Sequence, residues 1–253
     1  MIIKDRKTKR NIRRNLPRYD DNRIDTVAIA HYTAGKVCAL ILAVFIPFVP
    51  LFGAANIILK APDLYQFDLD RTESFREINL SLGDKTGKEL ATLMSDFMKN
   101  HIEEFRPEER VMFQGKESWV FTRPDRMVME RARRLLDSTL LFFFILLPVT
   151  GGAVFLLVRF NRRKDLWVGY NIGLGFFGLI AISLLVLSSF PNDRYNLFQW
   201  VVGVKFSRLD ILPQLFDNGF YVEATFLIAV VSAAALFVGR GFVKKYAVQN
   251  KMF

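Results

Sequence analysis

The chain has 253 residues, of which 51% are hydrophobic and 24% charged, with 25 phenylalanines and a net charge of +10. A charged fraction of that size beside so many apolar residues requires the apolar ones to stand in blocks, and they do, which excludes an ordinary mixed soluble core. The basic residues flank those blocks, so they point to membrane topology and anionic lipid, and nucleic acid is excluded as a partner.

Residues 1–36 form a basic arm (KDRKTKRNIRR near its start), with a short membrane-surface helix expected around Ile24 to His31. The apolar stretch 37–59 is close to the roughly 20 residues that span a bilayer. Its basic flank is too long for a cleaved signal peptide, although FGAA near its end resembles a cleavage site. Pro47 and Pro50 should kink the helix. Cys38 is the sole cysteine, so a disulfide, redox couple or zinc set within the chain is excluded, and its context is not a lipobox.

Residues 60–137 are read as a small mainly helical or α+β domain between the first two spans. FDLDR (Phe67 to Arg71) and GKESWVF (Gly115 to Phe121) are expected as short strands or extended segments. TGKE (Thr86 to Glu89) has capping-box spacing, and Leu90, Leu93, Met94, Phe97, Met98, Ile102 and Phe105 follow at helical intervals. That amphipathic helix, with His101 inside it, either packs on its own domain or lies on the membrane. TRPD (Thr122 to Asp125) opens another helix that nothing stops before the second span.

The second span is 138–158, interrupted by Pro148, Gly151 and Gly152. A basic link, 159–166 (RFNRRKD), leads to the third span, 167–190; an outer loop, 191–220, to the fourth, 221–239; and a tail, 240–253, closes the chain. The expected class is therefore a membrane α-helical protein, a four-span bundle with one appended domain. The basic arm, link and tail belong inside a plasma membrane, leaving 60–137 and 191–220 outside, since charges in loops beyond about 60 residues carry little topological weight. Glycines 169, 173, 175 and 178, and the run Ser232 to Ala235, permit close helix approach.

No GxSxG, HExxH, P-loop or CxxC is present, so no cofactor and no metal are expected. The spans hold almost no interior charge, which disfavours a proton-coupled transporter; Glu223, at the edge of the fourth span, is the exception and is read as an interfacial anchor. Polar residues gather at the expected outer surface: Asp125, Arg126 and Glu130 before the second span, Arg194, Tyr195 and Gln199 after the third, and Asp210 before the fourth. Arg126 and Arg194 suit phosphate or an ester carbonyl, with Asp125, Tyr195 and Gln199 beside them as lipid or ligand contacts, and Glu130 and Asp210 are the carboxylates that can take a proton. The alternative is a solvated rim with Arg126, Glu130 and Arg134 as an i,i+4 ladder.

WVFTRPDRMVMERARRLLD (Trp119 to Asp137), YNLFQWVVGVKFSRLDILPQLFDNGFY (Tyr195 to Tyr221) and the order of arm, span, outer domain and three further spans resemble the bacterial integral membrane family that includes the lipoprotein intramolecular transacylase. The resemblance implies transfer of an acyl chain from the glyceryl moiety to the N-terminal amine of a lipoprotein's modified cysteine. It also implies histidines where this sequence has Arg126, before Met127, and Gln199, after Phe198. Arginine stays protonated and an amide does not titrate, so neither is a general base. Two readings follow: a non-catalytic protein that binds membrane lipid, lipoproteins or other membrane subunits, and an acyltransferase using a different base.

Overall fold

The computed structural model describes residues 21–71, 87–103, 110–113, 116–119, 123–190, 203 and 218–248. Four helical rods in it are long and apolar enough to cross a membrane. The first is built from α1 (Asp21–Phe45) and α2 (Phe48–Ile58). The break between them falls at Pro47, which has no N–H for a continuing ladder and instead stands as the N-cap of α2 with φ −63°. Ile24 to His31 are not a separate surface helix: they are the opening turns of α1, because no proline interrupts the sequence between them and the span.

α3 (Pro62–Arg71) follows at once. Its FDLDR segment is helical where an extended segment was expected. Proline is well suited to a first turn, and Asp63 in that turn and Arg71 in the last complement the helix dipole. α4 (Gly87–Met98) is the expected amphipathic helix, but it is shorter than its apolar spacing implies. Asn100 adopts φ +62°, and His101 N–H bonds Asp96 O while Asn100 N–H bonds Phe97 O. That paired arrangement is a Schellman stop with asparagine in the left-handed position. His101 therefore lies beyond the helix, exposed, with Nδ1 3.5 Å from Asp96. β1 (Arg110–Phe113) and β2 (Lys116–Trp119) pair antiparallel in the register Arg110↔Trp119 to Phe113↔Lys116.

α5 (Arg123–Arg159) runs without interruption from TRPD into the second span. At about 1.5 Å per residue its 37 residues reach about 55 Å, against roughly 30 Å of hydrocarbon, so nearly half of it projects beyond the hydrocarbon core. A second asparagine Schellman stop ends it: Asn161 has φ +55°, Arg162 N–H bonds Leu157 O and Asn161 N–H bonds Val158 O. α6 (Arg163–Ser189) and α7 (Asn218–Val248) complete the bundle.

The rods do not close into a square. The first is central: α1 packs on α5 and α6, α2 on α5 and α7, and α6 packs along α7, while α5 meets α6 only lightly. Accordingly a third of the first rod's most apolar window is buried but only 11% of the fourth's. Leu141, Phe144, Leu179 and Val238 are among many large apolar side chains left facing outward, a surface suited to lipid or to another membrane helix. α6 sits tightly on α1 because Gly169 and Gly173 lie over Ala39 and Ala43. Gly175 and Gly178 meet nothing within 4 Å and take no part in this packing. Ser232 is fully buried and donates to Ile228 O within its own helix. Asn56, Thr150, Ser188 and Ser232, the buried polar residues of the spans among the described residues, are all uncharged.

The segment after the first span is not an independent unit. Leu64, Tyr65 and Leu69 of α3 and Met94, Phe97 and Met98 of α4 share one apolar cluster with Val128 and Met129 of α5 and with Phe220 and Ala224 of α7. Polar ties reinforce it. Arg133 covers the Phe97 ring at 4.2 Å and donates to Ile102 O, Ser95 Oγ donates to Lys60 O, and Asp137 accepts from Lys60 and Asn100.

Candidate functional site

Two ends of the bundle carry charge. At the end where α3 and α4 pack, three elements bring acid and base together. The last turn of α3 presents Arg71, whose guanidinium donates to Asp68 one turn earlier (2.8 Å) and, across the bundle, to Glu223 of α7 (2.6 Å). The Asp68 side chain is 1% exposed, that of Arg71 37%. Gly219, at the start of α7, makes room for this crossing: a Cβ there would collide with the Arg71 guanidinium. Tyr65, two residues after Asp63 on the same helix, stacks on Phe220 at 5.9 Å and donates its hydroxyl to Leu59 O. Complete burial pushes its phenol well above the ordinary value, so it stays neutral and serves as a hydrogen-bond donor.

α5 contributes the next group. Asp125, in its first turn, is fully buried, one turn before the Val128 and Met129 that touch the α3 cluster. The positive end of the helix dipole favours a carboxylate at that position. Arg126 and Glu130 are half-buried, and the Arg126 Nε is enclosed with no acceptor among the described residues. The i,i+4 ladder is not formed: no ion pair joins Arg126, Glu130 and Arg134 in the described structure. Arg131, on another face of α5, donates to Gly203 O at 2.8 Å. Glycine suits that point because its φ is +67° and a Cβ would stand 2.6 Å from the Arg131 guanidinium.

Of the residues singled out from sequence, Asp125, Arg126 and Glu130 therefore share the projecting turns of α5, while Arg194, Tyr195, Gln199 and Asp210 lie outside the described residues. Glu223 is not a bare interfacial anchor but the far partner of a bridge. Arg71 and Asp68 escaped notice in the sequence, although their i,i+3 spacing behind Pro62 was the available signal. Among the described residues no group of three or more His, Cys, Asp and Glu side chains could hold a metal ion.

No family model matches the chain, and no curated protein matches its sequence. Solved structures do. The membrane-integral lipoprotein intramolecular transacylase Lit from Bacillus cereus, in a histidine-to-arginine variant, superposes with a TM-score of 0.64 over 91% of this chain and 99% of that one, at 13% identity. This chain has the transacylase fold. A histidine-to-alanine variant of the same protein gives 0.64, at 14% identity, over 90% and 100% of the two chains, and a third structure gives 0.59, at 15% identity, over 86% and 97%. Coverage this complete means that the whole bundle, with the α3–α4 appendage, is shared. At such low identity the likeness concerns the backbone, and the chemistry rests on this chain's own side chains.

The transacylase fold thus carries here a set of groups poor in proton shuttles. The chain has two histidines; one, His31, lies in the opening turns of α1, and the other is the exposed His101. Asp68 and Glu223 are both engaged by one guanidinium.

Proposed function

We propose that this protein works at the outer leaflet of a bacterial plasma membrane as a lipid- or lipoprotein-binding member of the transacylase fold, without acyl transfer of its own, or as a subunit of a membrane complex. The observation that carries the reading is the Arg71 bridge between Asp68 and Glu223 in a chain with no histidine on α5, α6 or α7. Acyl transfer to an amine needs a group that accepts a proton near neutral pH. Here the cationic Arg126 suits recognition of a phosphate or ester instead. The fold supports lipid or lipoprotein as the class of ligand, and the outward apolar faces supply its acyl chains with a path.

Mass spectrometry of lipoprotein N-termini from cells with and without the protein is expected to give the same acylation pattern. An acyl chain that moves to the N-terminal amine only when the protein is present would favour the acyltransferase reading, with Glu130 or Asp210 as its base.

The basic link from Arg159 to Lys164 supports a sidedness in which both termini are cytoplasmic and the α3–α4 end is outside. Single cysteines in a Cys38→Ser background test it. His101→Cys is expected to react with a membrane-impermeant maleimide on intact cells and Lys164→Cys only after permeabilisation; the reverse pattern would invert the topology.

A further inference from the structure

The opposite end of the bundle, where α5 turns into α6, encloses an open cavity of about 880 Å³ between the start of the first rod, the link and the end of α7. Its walls are cationic and aromatic. Arg162 lies over the Tyr32 ring at 5.3 Å and Arg163 over Tyr246 at 5.1 Å. Both arginines are held in place. The Arg162 stem passes Gly35, where a Cβ would stand 3.2 Å from its Cγ, and Arg163 Nε donates to Asn161 Oδ1 at 2.8 Å. Lys36 also lines the cavity but is committed to Asp165 at 2.7 Å, and that ion pair neutralises the acid of the link. Arg162 and Lys164 have no carboxylate partner among the described residues.

We propose that this cavity binds the phosphodiester headgroup of an anionic phospholipid in the leaflet at the link end. A guanidinium fixed over an aromatic ring presents its outer N–H groups to phosphate oxygens, and a neighbouring lysine adds a point charge. The surroundings select a lipid over a soluble phosphate. Trp167, Tyr32 and Tyr246 form the amphipathic belt typical of the headgroup level. From the same rim the exposed Val37, Leu40 and Val168 lead along α1 and α6 into the spans, a track for acyl chains. A basic link that only set topology would need neither the cavity nor arginines locked by Gly35, Asn161 and two rings. The site is separate from the one at the α3–α4 end and stands whether or not that reading holds.

Native mass spectrometry of the full chain in mild detergent, with phosphatidylglycerol and phosphatidylcholine of equal chain length, tests the proposal. Phosphatidylglycerol is expected to be retained over phosphatidylcholine, and millimolar inorganic phosphate to leave it in place. Lys164→Gln, at an exposed position and therefore safe for folding, should weaken retention roughly fivefold, and Arg162→Gln with Lys164→Gln further, as expected for roughly that factor per surface cation. Arg123→Gln with Arg134→Gln at the other end should change nothing. Equal retention of the two lipids, displacement by phosphate, full retention by both link variants, or equal loss in the control pair would each overturn it.

Discussion

Arg71→Ala is expected to destabilise the protein by on the order of 2 kcal/mol, read from thermal or denaturant unfolding in detergent. Breaking a fully buried ion pair costs roughly 3–5 kcal/mol, chiefly because a charge is left in a poor solvent, and the partial exposure of Arg71 reduces that figure. The loss falls on Asp68, whose side chain is 1% exposed, and on the link that Arg71 makes to Glu223 of α7. Arg71→Lys should lose less than alanine but not nothing, since an ammonium on a flexible stem does not present the fork that spans two carboxylates. The sharpest reading comes from removing the buried charge as well: Arg71→Ala with Asp68→Asn should be more stable than Arg71→Ala alone. If the double variant is no better than the single one, Asp68 does not depend on Arg71, and the bridge is an ordinary surface pair.

The four rods were legible in the sequence because their signal is length of apolar run, which neither neighbours nor turns can disguise. The helix starting at TRPD was legible for a related reason: Pro124 marks a first turn, and no further proline and no glycine follows before the span begins. The end of α4 was not legible. Ile102 and Phe105 continue the apolar spacing, but Asn100 takes the left-handed conformation, and the favoured stop residue, glycine, is absent there. α3 was misread because FDLDR alternates apolar and charged residues over its first four positions, a window too short to separate period 2 from period 3.6; the proline five residues before Phe67 decides it. At the candidate site, the cluster on α5 could be seen because its members are neighbours in sequence. The Arg71–Glu223 bridge joins residues 152 positions apart, and no local pattern announces a partner at that separation.

Gly169→Ala should destabilise the protein by about 1–3 kcal/mol, while the same substitution at Gly175 is neutral or stabilising. The two sites lie on one helix and undergo one chemical change, so helix propensity, which favours alanine over glycine by about 1 kcal/mol, acts equally on both. They differ in what the new methyl meets. At Gly169 a Cβ would stand 2.7 Å from the Ala39 carbonyl oxygen and 3.1 Å from its Cα, whereas at Gly175 nothing lies within 4 Å. Backbone cannot swing aside as a side chain can, so α6 must lift from α1. Gly173 is packed as closely, since a Cβ there would overlap the stiff, β-branched Ile46 side chain and stand 3.1 Å from the Ala43 carbonyl oxygen. The matching feature on α1 is a pair of alanines one turn apart, Ala39 and Ala43, so both faces of this contact are small-residue stripes. Because α1 is the central rod, displacing α6 from it also disturbs α7, which packs along α6. Unfolding midpoints of the two alanine variants in one detergent decide the matter: equal values would mean that α6 does not ride on the α1 backbone.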